Sequence, residues 1–321
     1  MPRVEVRPFE AEHVDQAAAL LAERHARHRR AQPLLAPRFE EPSATAEEIA
    51  ATLAGLGASG AVRLTGGRLT GFLLGAAKPG EAWGPNIWIE AAGHAATDAE
   101  AVRDMYGLAA TRWVDEGRTA HYVLVPASDP ELVSAWFRLC FGHQHSHAIR
   151  PIGNTREPAD GVKVRPAARD DIPVLARLDA TLDEHQHLAP TFSRIGARAV
   201  EEYESGWLED FDDPSYTTFV AEHGGQVIGS AIACSIEKSS AHKGLARPDN
   251  AGFLGFAAVL AHARGLGAGR ALGQAVIDWS EGAGFDCVVA DWRATNLLSS
   301  RAWPALGFTE SFLRLHRLVG F

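Results

Sequence analysis

HARGLGAGRALGQAVIDW, residues 262–279, places four glycines within nine positions and then runs into an amphipathic helical pattern. Glycine weakens a helix, so glycines crowded at a helix start answer some other need. The segment before them, AGFLGFAAV, reads as a strand ending at Val259. Strand, glycine-rich turn and helix together make an anion site suited to a pyrophosphate. The first amides of a helix have no intrahelical partners, the dipole makes that end positive, and glycine lets bare backbone approach a ligand. Arg264 and Arg270 add positive charge. The spacing is not the G-x-G-x-x-G of a dinucleotide fold, and no G-K-[ST] follows as in a P-loop. The plainer alternative is a helix packed closely on a strand, with glycines for clearance.

The chain has 321 residues, room for two ordinary domains. With 46% hydrophobic and 22% charged residues it has the composition of a soluble globular protein. A formal net charge of −9 argues against a general nucleic-acid binder and favours a neutral or cationic partner. No apolar stretch reaches membrane-spanning length, and MPRVEVRPFEAEH at the start lacks an apolar signal core. The expectation is therefore a cytoplasmic protein with neither a nucleic-acid nor a membrane partner. Cys140, Cys234 and Cys287 form no CxxC pair, and each sits in an apolar segment, as small buried core residues do.

The sequence repeats itself. VEVRP at 4–8 returns as VKVRP at 162–166, LLAPRF at 34–39 as HLAPTF at 187–192, and GGRLTG at 66–71 as GGQVIG at 224–229. SDPELVSAWFRLCFG, 128–142, aligns with TNLLSSRAWPALGFT, 295–309. Blocks in the same order imply two copies of one domain, 1–152 and 162–321, with GNTREPADG, 153–161, as linker. Each copy reads as strand, helix, second helical stretch, hairpin on a Gly-Gly turn, strand, helix, strand, short helix and final strand. The fold class is α/β (α+β), two tandem domains with mixed sheets flanked by helices.

Arg264-x-x-Gly267-x-Gly269 after a strand ending at Val259 resembles the acyl-CoA signature of the GNAT acetyltransferase superfamily. Asn296-x-x-Ser299-x-x-Ala302-Trp303-x-x-x-Gly307-Phe308 resembles that family's second block. The resemblance covers residues 160–321 and, through the repeat, the first half at the level of fold. It implies a splayed central sheet, with acetyl-CoA as cosubstrate in the gap between the strand ending at Val259 and the strand at 287–292. It implies that Ala257, Ala258 and Val259 pair with the pantetheine arm, and that a backbone N–H there polarises the acetyl carbonyl. Arg264 and the amides of Gly265, Leu266, Gly267, Ala268, Gly269 and Arg270 would hold the pyrophosphate, and Asn296 and Ser299 the arm. The family often carries a carboxylate base five residues before the Asn, here Asp291; a plain strand-end Asp paired with Arg293 is the alternative. Glu237, on an earlier strand, is a second candidate base. Trp303 stands where the family frequently has Tyr, and an indole N–H donates a hydrogen bond without serving as an acid. Its default role is packing.

The reaction so implied is N-acetyl transfer to a primary amine of a small molecule or peptide, with no metal, by direct attack in a ternary complex. A non-catalytic acyl-CoA-binding or sensing module is the alternative, and homodimers are common in the family. The first half offers a control. The stretch equivalent to the glycine turn is Thr97-Asp-Ala-Glu-Ala-Val102, which has no glycine and carries two acids. Leu124 aligns with Asp291 and Asp129 with Asn296, so the first domain reads as the same fold without a cofactor site. RHARHRR, 24–30, reads as a solvated basic face at a helix end. His143, His145 and His147 alternate on one strand face, where three imidazoles could ligate a metal but an ordinary strand is the favoured reading. His185 and His187 flank the loop that borders the acceptor site in the family, where they could help deprotonate the amine.

Overall fold

The structure, a computed structural model, describes residues 3–80, 83–153, 161–193 and 198–320. The first half of the chain forms β1 (Val4–Pro8), α1 (Val14–Ala31), α2 (Pro42–Leu53), β2 (Ser59–Thr65), β3 (Arg68–Gly75), β4 (Asn86–Ile89), β5 (His94–Ala96), α3 (Ala101–Asp115), β6 (Ala120–Pro126), α4 (Pro130–Phe137) and β7 (Gly142–Pro151). The second half repeats the order with β8 (Lys163–Pro166), α5 (Ile172–His187), α6 (Val200–Asp210), β9 (Tyr216–His223), β10 (Gln226–Ser235), β11 (Ala251–Val259), α7 (Ala268–Gly282), β12 (Cys287–Arg293), α8 (Ser299–Ala305) and β13 (Thr309–Leu318). The hairpins β2–β3 and β9–β10 close on Gly66-Gly67 and Gly224-Gly225, all four at positive φ. That backbone matches the strand twist in a two-residue hairpin, which is why glycine pairs stand there.

The chain folds into two compact units, and neither is contiguous in sequence. One comprises Met1–Ser146, Lys243–Pro248 and Ser311–Phe321; the other comprises His147–His242 and Asp249–Glu310. Most of β13 therefore belongs with the first unit, and the end of β7 with the second. The linker expected at 153–161 lies, apart from Gly153 and Gly161, outside the described residues.

In the first unit, strands run β1-β2-β3-β5 in one sheet, while β6 lies between β4 and β13. Met105, Tyr106 and Trp113 of α3 pack with Val123, Trp136 and Leu315 in its core. In the second unit the order is β7-β12-β11-β10-β9-β8. There Leu272, Val276 and Ile277 of α7 pack on Leu254, Val288 and Trp292. The α7 pattern is apolar on one face, so burying that stripe against the sheet fixes where the helix begins.

Three readings need correction. Cys140 is exposed, because φ of +62° at the turn between α4 and β7 carries it out of the apolar run around it, whereas Cys234 and Cys287 are buried. The 24–30 run is not a solvated face: Arg24, His25 and His28 are buried and only Arg27 and Arg30 are exposed. The strand expected after the first hairpin, PNIWIEAA at 85–92, ends at Ile89: β4 pairs in parallel with β6, and a separate β5 past Gly93 pairs antiparallel with β3.

Candidate cofactor and catalytic site

In the second unit β11 and β12 run parallel and pair over only four positions, Ala251–Cys287 to Leu254–Ala290. Beyond that, β11 continues to Val259 and β12 to Arg293 without a ladder between them. On its other edge β11 stays paired with β10, but Ile232 faces Phe256 while Ala233 faces Leu254. Gly255 is thus the extra residue of a bulge, which bends β11 at the fork. The two strands part there and leave backbone of β11 unpaired on the β12 side.

The fork opens into a cleft of about 420 Å³. Ala257, Ala258 and Val259 of β11, the turn from Arg264 to Arg270, and Asn296, Ser299 and Trp303 line it. Leu266 is the one residue of that turn absent from the lining; its side chain is exposed. Gly265 and Gly267 both have φ of +88°, and Gly267 is the residue preceding α7. The Ala271 amide bonds back to the Gly267 carbonyl at 3.0 Å, so the amides of Ala268, Gly269 and Arg270 lack intrahelical carbonyls, as at every helix start. No carboxylate lines the cleft, and Arg264, Arg270 and Arg301 do. A diphosphate fits this donor set: bare amides, a positive helix end and guanidinium groups.

Asn296 is buried, and its Oδ1 accepts the amides of Leu298 (3.2 Å) and Ser299 (3.4 Å), capping α8. The same oxygen lies 3.3 Å from His185 Nε2. Trp303 is buried, and a Cβ added at Gly273 would come within 3.0 Å of its ring, so indole packing against α7 sets the depth of the cleft floor.

Neither candidate carboxylate lines the cleft. Asp291 is the first residue of β12 past the last parallel pair. Alternation along the strand turns it away from the core face held by Ala290 and Trp292. Its Oδ2 is 3.7 Å from His242 Nδ1, and that nitrogen is 2.8 Å from Ser239 Oγ. His242 is buried between the rings of His147 and Phe253, at 4.4 and 5.3 Å. Glu237 instead sits exposed on the short turn Ile236–Lys238 after β10. Arg293, the alternative partner of Asp291, donates to Gln186 Oε1 and Ser193 Oγ. Among the described residues, no group of three His, Cys, Asp or Glu side chains is arranged to hold a metal.

A family model described as the acetyltransferase (GNAT) family matches residues 182–308, the span that contains fork, glycine turn and cleft. Those residues are similar to the GNAT acetyltransferase family. The whole chain also resembles the fold of a GCN5-related N-acetyltransferase from Sphaerobacter thermophilus, at 14% identity, 98% coverage of this chain, 95% of that one and a TM-score of 0.55. A fungal glucosamine N-acetyltransferase region of a multi-domain GH3 β-N-acetylglucosaminidase aligns at 13% identity, 99% and 38% coverage and a TM-score of 0.54. A tandem GNAT protein from the clavulanic acid biosynthesis pathway aligns at 14% identity, 99% coverage of both chains and a TM-score of 0.48. Among curated proteins there is no match.

Around the cleft, the sequence patterns miss Thr181 and Leu182 and give His185 only beside the acceptor loop; all three line the cleft from the last turns of α5. Their spacing puts them on one helix face, but nothing in the pattern says which strand pair that face covers. His242 lies in SSAHKG, a polar stretch with no signal of its own. His187 bonds the Ser193 carbonyl at 3.0 Å. On the outer face of α5, Asp179 and Asp183 accept hydrogen bonds from Trp207 and Tyr203 of α6.

At the corresponding positions the first unit is built differently. At the start of α3 the Asp98 carboxylate accepts the Glu100 amide at 3.0 Å, putting an acid where α7 offers bare amides. The hollow there is lined by Asp98, Glu100 and Glu131, with Arg138. Where β5 departs from β6, the buried Arg24 guanidinium donates to the carbonyls of Ala91 and His94, and His94 Nε2 lies 2.9 Å from the Leu124 carbonyl. Asp129 caps α4 at the Leu132 amide (3.0 Å), matching the Asn296 cap of α8.

Proposed function

We propose that the second unit transfers an acetyl group from acetyl-CoA to a primary amine of a small molecule or peptide in a ternary complex. The observation that carries this reading is the fork between β11 and β12 opening onto the amide-bearing start of α7 in a single cleft without carboxylates. Gly265 to Arg270, with Arg264, hold the diphosphate; Ala257 to Val259 pair with the pantetheine arm, which Asn296 and Ser299 also contact. A backbone N–H of β11 beyond the bulge polarises the thioester carbonyl. Asp291, at the base of the fork, takes the proton of the acceptor ammonium, because only the free amine is nucleophilic. Its neighbour His242 orients the carboxylate. Glu237, exposed on its turn, has no part in this. The first unit, 1–152 in the sequence repeat, holds no cofactor: acids face its helix start and the Arg24–His94 network fills its fork.

Trp303 favours a second reading, a module that binds acyl-CoA without turnover. Calorimetry with acetyl-CoA, beside free-thiol release over a panel of sugar amines, amino acids, polyamines and peptide amino termini, separates the two. Binding with thiol release on an amine supports transfer. Binding without release on any amine supports the module, and absence of binding overturns both.

A further inference from the structure

Loss of the thiolate from a thioester is eased by a proton delivered to sulfur, and Trp303 offers none, since an indole N–H is not an acid near neutrality. The cleft lining nevertheless contains one side-chain class suited to the task. Of the described residues around it, Arg264, Arg270 and Arg301 bring guanidinium groups and Thr181 and Ser299 alcohols, side-chain classes too weakly acidic to serve. The remaining ionisable group is the imidazole of His185, a class that gains and loses protons under physiological conditions.

The hydrogen-bond geometry fixes which His185 nitrogen bears a proton. Asn296 Oδ1 already accepts two backbone amides, so that atom is an oxygen and an acceptor. His185 Nε2, 3.3 Å away, meets it favourably only as N–H. His185 therefore lines the cleft with Nε2–H held on Asn296, the residue that the transfer reading assigns to the cofactor arm. It reaches there from α5 and is half-buried, so its proton can be renewed from solvent.

We propose that His185 protonates the departing thiolate, in place of the acid that Trp303 cannot be. The proposal rests on the transfer reading above. The amine lone pair forms the C–N bond. The C–S bond breaks with its electron pair going to sulfur, a proton of the His185 imidazolium passes to that sulfur to give the thiol, and the surplus amine proton goes to Asp291, which has already passed the ammonium's proton to solvent. Solvent then reprotonates His185. Nothing is oxidised or reduced.

The test compares the full-length wild type with His185→Gln and His185→Ala. Acetyl-CoA binding is followed by calorimetry and thiol release by a colorimetric thiol reagent, with hydroxylamine and the amine panel as nucleophiles. Gln can still donate to Asn296 but has no proton to transfer. The expected result for His185→Gln is acetyl-CoA affinity within about threefold of wild type and a kcat lower by about 10²-fold, the range of a lost general acid. Added imidazole restores part of the turnover of His185→Ala, which a packing role would not allow. A His185→Gln enzyme with wild-type kcat, or one whose only defect is acetyl-CoA affinity, overturns the proposal while leaving acetyl transfer standing. A wild type that binds acetyl-CoA and releases no thiol with any nucleophile overturns both.

Discussion

Asp291 and Glu237 are the same kind of acid to a sequence reader, and only their surroundings separate them. Asp291 stands where the parallel ladder ends, faces away from the core and has the buried His242 within 3.7 Å. Glu237 projects into solvent from a turn. Asp291→Asn, nearly the same shape without a proton-accepting charge, should lower kcat by about 10²–10³-fold, as loss of a general base does. Calorimetry should find acetyl-CoA affinity unchanged in that variant, and Glu237→Gln should keep its kcat within about twofold, since an exposed group outside the cleft has no share in the transfer. A larger loss in Glu237→Gln than in Asp291→Asn would reverse the assignment. At this scale the residues that were legible in sequence are those acting through the backbone. A left-handed turn and a bare helix start demand glycine at fixed spacing, so the demand is written in the letters. His185 and His242 act through side chains delivered by α5 and by the stretch after β10, and delivery is a tertiary event with no local spelling.

The turn ahead of α7 shows how one element can carry both stability and binding. Gly267 needs its positive φ of +88°; any other residue there costs about 1–2 kcal/mol. Gly269 has no such need, and a Cβ there would meet Val259 Cγ2 at 3.8 Å, an ordinary contact, while still lining the cleft. Gly267→Ala should therefore lower both the melting temperature and acetyl-CoA affinity, and Gly269→Ala should lower affinity alone. Differential scanning calorimetry beside titration calorimetry tests the pair; equal melting losses in both variants would refute the distinction. Gly273, inside α7, is a third case: its Cβ would come 2.5 Å from Leu306 Cδ1 and 3.0 Å from the Trp303 ring. Gly273→Ala should destabilise by about 1–3 kcal/mol through overpacking. Elements of this kind were readable because glycine spacing and apolar periodicity are local. The break between β4 and β5 was not. PNIWIEAA has the apolar content of one strand through residue 92, but β4 stops at Ile89, and Arg24 arrives from α1 to bind the Ala91 and His94 carbonyls beyond it. Arg24, one of the basic letters at 24–30 that look like a solvated helix end, is held inward by those acceptors, and His25 by the Ala36 carbonyl.

At the scale of the whole chain, the repeat correctly announces two copies of one fold but implies two contiguous blocks. Residues 311–321 instead belong with the first unit, and 147–153 with the second. Linear similarity cannot reveal such an exchange, because a strand's pattern says that it pairs and not with which copy. The units also differ in what acidification does to them. In the first, burial pushes His94 and His28 down to about 3 and His25 down to about 4, with Arg24 adding to each shift. Above about pH 6.5, the ordinary histidine value, folded and unfolded states are both neutral at these positions and no stability is at stake. Below it the unfolded chain takes up protons that the folded unit refuses, so stability falls as pH drops from about 6.5 toward the folded values. With all three histidines in that window the slope approaches about 4 kcal/mol per pH unit, against a typical domain stability of about 5–15 kcal/mol. In the second unit Asp179 has the opposite sign. Burial, against the hydrogen bond from Trp207, raises its carboxyl to about 6, so the folded state takes its proton before the unfolded one and gains stability as pH falls from about 6 to the ordinary aspartate range. Three histidines against one aspartate leave a net loss on acidification. Melting temperatures measured between pH 7.5 and 4.5 should be level down to about 6.5 and then fall steeply. His28→Gln and His94→Gln should flatten the fall, and Asp179→Asn should steepen it. A melting temperature that stays level to pH 4.5, or identical slopes in wild type and both histidine variants, would mean that these imidazoles find protons in the folded chain and are not sealed in its interior.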